Sequence, residues 1–183
     1  MKSLPAAPEF PALPPGAAWS GWPESLAEEI ARATVEAYRG SPDAVIWREL
    51  QDAAACAAWL RGHRDHLIAA GTGVVRREGE TLAAVVTVLD PHMPEVAEIL
   101  SIAVNPEARG LRLGDALIRI SEWSAWQAGI RMVKLLVDAR NERLASWYQR
   151  LGYVTVDEKW IRVQADSLPR RVVRAVRRRL LGK

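Results

Sequence analysis

Apolar residues recur at helical spacing in the first third of the chain, and after it strand-like runs alternate with further stretches of helical spacing. Leu26, Ile30, Ala33 and Ala37 fall three and four residues apart, and Pro23 suits a first helical turn, so a helix is expected over 23–38. Gly40-Ser41-Pro42-Asp43 breaks it, and a second helix is expected over 51–61. Two β-rich runs, 73–77 and 81–89, are joined by Glu78-Gly79-Glu80 and read as a hairpin. The loop Asp90-Pro91-His92-Met93-Pro94 leads into a strand over 96–104. Leu113, Ala116, Leu117, Ile120 and Trp123 share one face of a helix over 112–127, which Gly129 stops. The run 132–137 is almost continuously apolar, as expected of a strand covered on both faces. A short helix over 141–151, closed by Gly152, and a strand over 153–163 complete the pattern.

This order predicts an α/β (α+β) domain with a mixed sheet and helices packed against it. Strands 96–104 and 132–137 are linked through a helix, so they are expected as parallel neighbours, with a ligand at their C-terminal ends. Five of the 11 prolines lie in the first 15 residues, which predicts a flexible arm over 1–22 and a domain over 23–165. In the tail, 166–183, Leu168, Val172, Val176 and Leu180 fall on one face of a basic amphipathic helix.

At 183 residues the chain suits one domain that buries roughly 70% of its unfolded surface without disulfides. The single cysteine, Cys56, sits in an apolar helical context and is expected as a small core residue in a reducing compartment. No apolar run approaches the ~20 residues of a membrane span, and no unbroken apolar stretch follows Lys2, so a cytoplasmic location is expected. The net charge of +3 hides an asymmetry. Residues 169–183 hold seven basic groups and no acid, while the rest of the chain has 18 basic against 22 acidic groups. The basic character therefore belongs to the tail, where it would suit nucleic acid or an anionic membrane, or a helix docked with its arginines in water. His63-Arg64-Asp65-His66 has two histidines at helical spacing but no further ligands near, so no metal is expected.

The chemistry concentrates in Val104-Asn-Pro-Glu-Ala-Arg-Gly-Leu-Arg-Leu-Gly-Asp115. A strand, a glycine turn and a helix start follow one another here. Unpaired N–H groups and the helix dipole make such a junction an anion site. Taken alone, Gly110 and Gly114 suit either a phosphate-binding turn or simple close packing. A second stretch, Asn141-Glu-Arg-Leu-Ala-Ser-Trp-Tyr-Gln-Arg-Leu-Gly-Tyr153, stands some 30 residues later.

Together, Val-x-Pro-x-x-Arg-Gly-x-x-x-Gly and this second stretch resemble the GNAT superfamily of acyl-CoA N-acyltransferases. The resemblance covers roughly residues 72–163. It departs at Arg112, where a glycine is frequent, and at Leu144, where alanine is frequent. It implies a mostly antiparallel central sheet with helices on both faces, and two strands that splay into a V-shaped slot. It further implies that main-chain N–H groups of Arg109, Gly110, Leu111, Arg112, Leu113 and Gly114 wrap the pyrophosphate of coenzyme A. Ile102, Ala103 and Val104 would pair with the pantetheine arm like an added strand. Asn141 would hydrogen-bond the same arm, and Tyr148 would sit near the sulfur.

The implied activity is acetyl-CoA-dependent transfer of an acetyl group to a primary amine, directly within a ternary complex. The acceptor would be a small molecule or a peptide, and the protein a monomer or homodimer. Tyr148 would act as general acid, since a phenol near pKa ~10 is neutral at pH 7. Glu98 is the candidate base. A carboxylate at ~4.3 takes a proton poorly from an amine near ~10.4, so Glu98 needs burial, a water relay, or a role in positioning a neutral amine. Strand alternation would put Glu98, Leu100 and Ile102 on one side and Ile99 and Ser101 on the other. Trp19, Trp22 and Trp47 are candidates for an acceptor pocket. Two other readings are a catalytically weak acyl-CoA-binding module and a protein working through its basic tail.

Overall fold

The computed structural model describes residues 1–45, 52–161 and 171–175. Helix α1 (Ala27–Tyr38) follows a single 3-10 turn, and α2 (Ala53–Gly62) is capped by the Asp52 side chain, which accepts the Ala55 amide. The hairpin forms from β3 (Gly73–Arg77) and β4 (Glu80–Leu89), and β5 spans Val96–Val104. Helix α3 (Leu113–Gln127), strand β6 (Met132–Asp138) and helix α4 (Glu142–Arg150) follow in the expected order. Among the described residues the sheet also contains β1 (Lys2–Ser3), β2 (Ala17–Gly21), β7 (Asp157–Ile161) and β8 (Arg171–Ala175), in the order β2-β3-β4-β5-β6-β8-β7 with β1 against β6. Among the described strands only the β5–β6 pairing is parallel.

Helices cover both faces. Ile30 and Ala31 of α1 pack with Cys56 and Leu60 of α2 over Val74, Ala84 and Val86. Leu113, Leu117 and Ile120 of α3, joined by Ala145 and Tyr148 of α4, pack over Val85, Ile99 and Leu135 on the other side. Cys56 is 4% exposed and belongs to the first of these clusters.

Two sequence expectations are corrected at the chain ends. The Pro-rich lead is stitched into the domain rather than left as an arm. Met1 and Leu4 are buried, Lys2–Ser3 pair with Val133–Met132, and Ala17–Gly21 pair with β3 along their whole length. The proline-rich segment 5–14 forms a largely extended connection between those two strands and ends in a turn at Pro15-Gly16, where the Ala17 amide donates to the Pro14 carbonyl at 3.0 Å. The tail is not helical over 171–175. That segment is a strand between β6 and β7, so the sheet continues past residue 165. Its adjacent Val172 and Val173 are β-branched, which suits a strand better than a helix. The remainder of the expected tail helix lies outside the described residues.

The feature that shapes the site is in β5. Val86 faces Ser101 while the next residue of β4, Thr87, faces Ile99, so Leu100 is an extra residue in β5. Such a bulge bends a strand and reverses its facing. Ala97 and Ile99 lie with the α3 core; after the bulge Ile102 and Val104 lie there too, while Leu100 and Ala103 face α1 and α2. Simple alternation therefore fails here, and Glu98 and Ile102 do not share a side. Beyond the bulge β5 also loses β6: their pairing runs only from Val96–Met132 to Ile99–Leu135. The two strands then diverge, leaving a V open at their C-terminal ends.

Candidate active site

A crevice occupies the V and runs outward between the end of α1 and α4. Its inner part, about 290 Å³, is walled by Tyr38, Asp43, Ile102, Val104, Gly114 and Tyr148. Its outer part, about 560 Å³, is lined by Arg39, Arg109, Arg143 and Arg150 and by no carboxylate. Arg109, Asn141, Arg143, Leu144 and Trp147 border both. Arg39 pairs with Glu36, whereas Arg109, Arg143 and Arg150 form no ion pair among the described residues.

The turn before α3 is built on two left-handed residues, Gly110 at φ +90° and Arg112 at φ +57°. Asn105 opens it by accepting the Glu107 amide. No side chain caps α3, so the first amides of the helix, Leu113 to Asp115, remain available to an anion. Gly114 sits where a Cβ would come within 3.3 Å of the Trp147 ring. The absence of a side chain there lets α3 and α4 approach, and the Trp147 indole donates to Asp115 at 2.9 Å. Arg112 extends into solvent with its Nε 3.5 Å from the same carboxylate.

Tyr148 is 6% exposed. Its hydroxyl makes no hydrogen bond among the described residues. Burial drives its pKa well above the ordinary tyrosine value, helped by the nearby Tyr38 and Asp43, so the phenol keeps its proton. Tyr38 reaches the same cavity from the end of α1. Its oxygen accepts the Ile102 amide at 3.4 Å, a contact at the long limit of hydrogen bonding. Burial pushes the Tyr38 phenol up to about 12.

Asn141 caps α4 by accepting the Leu144 amide at 3.2 Å, and its amide nitrogen donates to Asp43 at 2.5 Å. The Asp43 carboxylate also accepts the amide of Asp138, a residue at the end of β6 that has no β5 partner. The segment after α1 is thereby fastened to the arm of the V that β5 has left.

The structure brings Ile102, Val104, Arg109, Gly114, Asn141 and Tyr148 together around one crevice. It places other expected residues elsewhere. Ala103 faces α1 and α2, Leu113 is core, and the Leu111 and Arg112 side chains point to solvent. Gly110 contributes backbone only. Glu98 is not brought to the crevice. It is 6% exposed and faces Lys134, its register partner on β6, at 2.9 Å; Lys134 also pairs with Asp90. Trp19 and Trp22 pack against the two cores and do not line the crevice; Trp47 lies outside the described residues. Tyr38 and Asp43 are not among the site residues expected from the sequence. The break at Gly40-Ser41-Pro42-Asp43 marks the segment but gives neither residue a functional motif.

Among the described residues no group of three or more His, Cys, Asp or Glu is placed to hold a metal ion, and no helix is long and apolar enough to cross a membrane.

The profile of the Acetyltransferase (GNAT) family matches residues 24–153, and the chain belongs to that family. Over 86 residues it is 38% identical to the mycothiol acetyltransferase of Paenarthrobacter aurescens, a match covering 45% of this chain and 27% of that protein. The matches span about a quarter to a third of the length of the first curated relatives. Among solved structures, an acetyltransferase from Salmonella typhimurium with its cofactor acetyl-CoA has a TM-score of 0.64 at 14% identity, covering 88% of this chain and 92% of that one. The ribosomal-protein-S18-alanine N-acetyltransferase of Escherichia coli has a TM-score of 0.65 at 16% identity, covering 87% of this chain and 91% of that one. These structures share the fold.

Proposed function

We propose that this chain is an acetyl-CoA-dependent N-acetyltransferase that moves an acetyl group to a primary amine by direct transfer in a ternary complex. The observation that carries this reading is the lining of the crevice: four arginines and no carboxylate in the outer part, and a buried neutral tyrosine in the inner part, which Arg109 and Arg143 also border. A ligand with phosphates at one end and an acyl thioester at the other fits that gradient.

When bound, acetyl-CoA supplies the activated acyl carbonyl. The chain's own residues do the rest. Arg109, Arg143 and Arg150, with the uncapped amides of α3, hold the phosphates. Ile102 and Val104 offer the β5 backbone edge to the pantetheine arm. The Tyr38 hydroxyl, which accepts the Ile102 amide, keeps its own proton to meet charge on the acyl oxygen. Tyr148 gives its proton to the departing sulfur. Asn141 serves first as the cap of α4, with one amide hydrogen left for the arm. Glu98 has no role as base in this reading, because Lys134 holds it away from the crevice.

A fluorescence titration with acetyl-CoA tests the proposal, since Trp147 borders both parts of the crevice. Saturable quenching that is lost in Trp147→Phe is expected. No binding by fluorescence or calorimetry at millimolar ligand sinks the reading.

A further inference from the structure

The inner end of the crevice contains one carboxylate, and no described cation is paired with it. Asp43 is 4% exposed. Its Oδ1 accepts the Asp138 amide at 2.7 Å, its Oδ2 accepts the Asn141 amide nitrogen at 2.5 Å, and the Ser41 hydroxyl lies 3.4 Å from Oδ2. All three donors are neutral. Arg140 is paired with Asp138, with Nη2 2.6 Å from Oδ2, and feels the Asp43 charge only through space, without an ion pair to it. A buried carboxylate with no ion pair of its own is costly, and it persists where a cation can complete it. Here the carboxylate also lines a cavity, beside Tyr38 and Tyr148, so a ligand can supply that cation.

We infer that Asp43 is the acceptor-binding residue: its carboxylate receives the ammonium group of a primary amine at the inner end of the crevice. This rests on the transferase reading above and adds the acceptor's site and charge. Arg39 and Arg150 line the outer part alone and Arg109 and Arg143 border both, so phosphates are drawn to the outer part, while Asp43 is the carboxylate that the inner part offers to an ammonium. The bound ammonium loses a proton to water. Its neutral nitrogen then forms the new C–N bond as the C–S bond breaks and the sulfur takes the Tyr148 proton; the nitrogen sheds its second proton, which water carries back to the Tyr148 phenolate. Cationic primary amines are thereby preferred over alcohols and over amines flanked by carboxylates.

The test is calorimetric titration of the coenzyme A-saturated protein with glycinamide, ethanolamine and spermidine, in wild type and Asp43→Asn. At least one amine is expected to bind wild type and to bind Asp43→Asn at least tenfold more weakly, with coenzyme A affinity unchanged. Asp43→Glu keeps the charge and is expected to lie between the two. Equal amine binding in wild type and Asp43→Asn overturns the assignment, as does failure of wild type to bind any of the three. An equal loss of coenzyme A affinity also overturns it, since Asp43 is then only a brace for the crevice. Failure of wild type to bind coenzyme A at all is a different outcome, and it overturns the transferase reading itself.

Discussion

The amide of Ile102 donates to the Tyr38 hydroxyl across 3.4 Å, so the end of α1 meets β5 where β6 has left it. The phenol accepts in this contact, and its own proton remains uncommitted. A donor aimed at developing charge contributes far more to transfer than to binding. Tyr38→Phe is therefore expected to lower kcat by ~10²-fold while the acetyl-CoA KM changes little. An unchanged kcat under conditions where chemistry limits the rate removes Tyr38 from the reaction.

Tyr148→Phe deletes one oxygen from a side chain whose ring stays packed against Tyr153. Folding and coenzyme binding are expected to survive. Transfer should fall by ~10²-fold or more, because proton donation to the leaving sulfur is lost. Single-turnover kinetics with acetyl-CoA check this, and a leaving group of lower pKa should rescue much of the loss.

Alkaline stability follows from the buried phenols. Tyr38 has a pKa of about 12 in the fold, and Tyr148 and Tyr153 are shifted in the same direction, chiefly by burial. The folded state therefore favours their neutral forms. This contribution is complete below the ordinary tyrosine value of ~10 and is lost as the pH rises toward 12. For Tyr38 alone it is on the order of 3 kcal/mol. Urea midpoints are expected to drop between pH 10 and 11.5, and to drop less in Tyr38→Phe. Identical profiles would contradict the placement of that hydroxyl.

Arg112 holds a left-handed backbone, φ +57°, at the entrance of α3. A side chain there costs about 1 kcal/mol, part of which glycine returns as unfolded-state entropy. Arg112→Gly is expected to leave stability unchanged or raise it by up to ~1 kcal/mol, and to leave coenzyme affinity within about threefold. The Arg112 side chain is 87% exposed and points away from the crevice. Thermal unfolding and the fluorescence titration read both effects. A destabilised variant would mean that the contact with Asp115 outweighs the backbone.

Strand β5 and helix α3 were legible because their apolar patterns are long and bounded by Pro94, Pro106 and Gly129. The two-motif spacing led to Tyr148, Asn141, Arg109 and Gly114, which do share a crevice. The bulge was hidden, since Leu100-Ser101-Ile102-Ala103 reads as one apolar run whichever residue is the extra one. The hidden bulge also misplaced Ile102 relative to Glu98. Tyr38 and Asp43 act through contacts 64 and 95 residues distant in sequence, and no local periodicity encodes those. The lead over residues 1–22 is opaque for the same reason: its strands exist only through partners on β3 and β6.

The extra residue at Leu100 lets odd-numbered side chains of β5 face α3 before it and even-numbered ones after it, with the pairing to β4 kept on both sides. Deleting Leu100 would join Ile99 to Ser101 and leave each remaining β4 partner in place, so Ile102 and Val104 would still face the crevice and the local bend would be lost. The bulge thus sets the course of the strand, while the identity of the crevice wall rests on Ile102 and Val104 themselves.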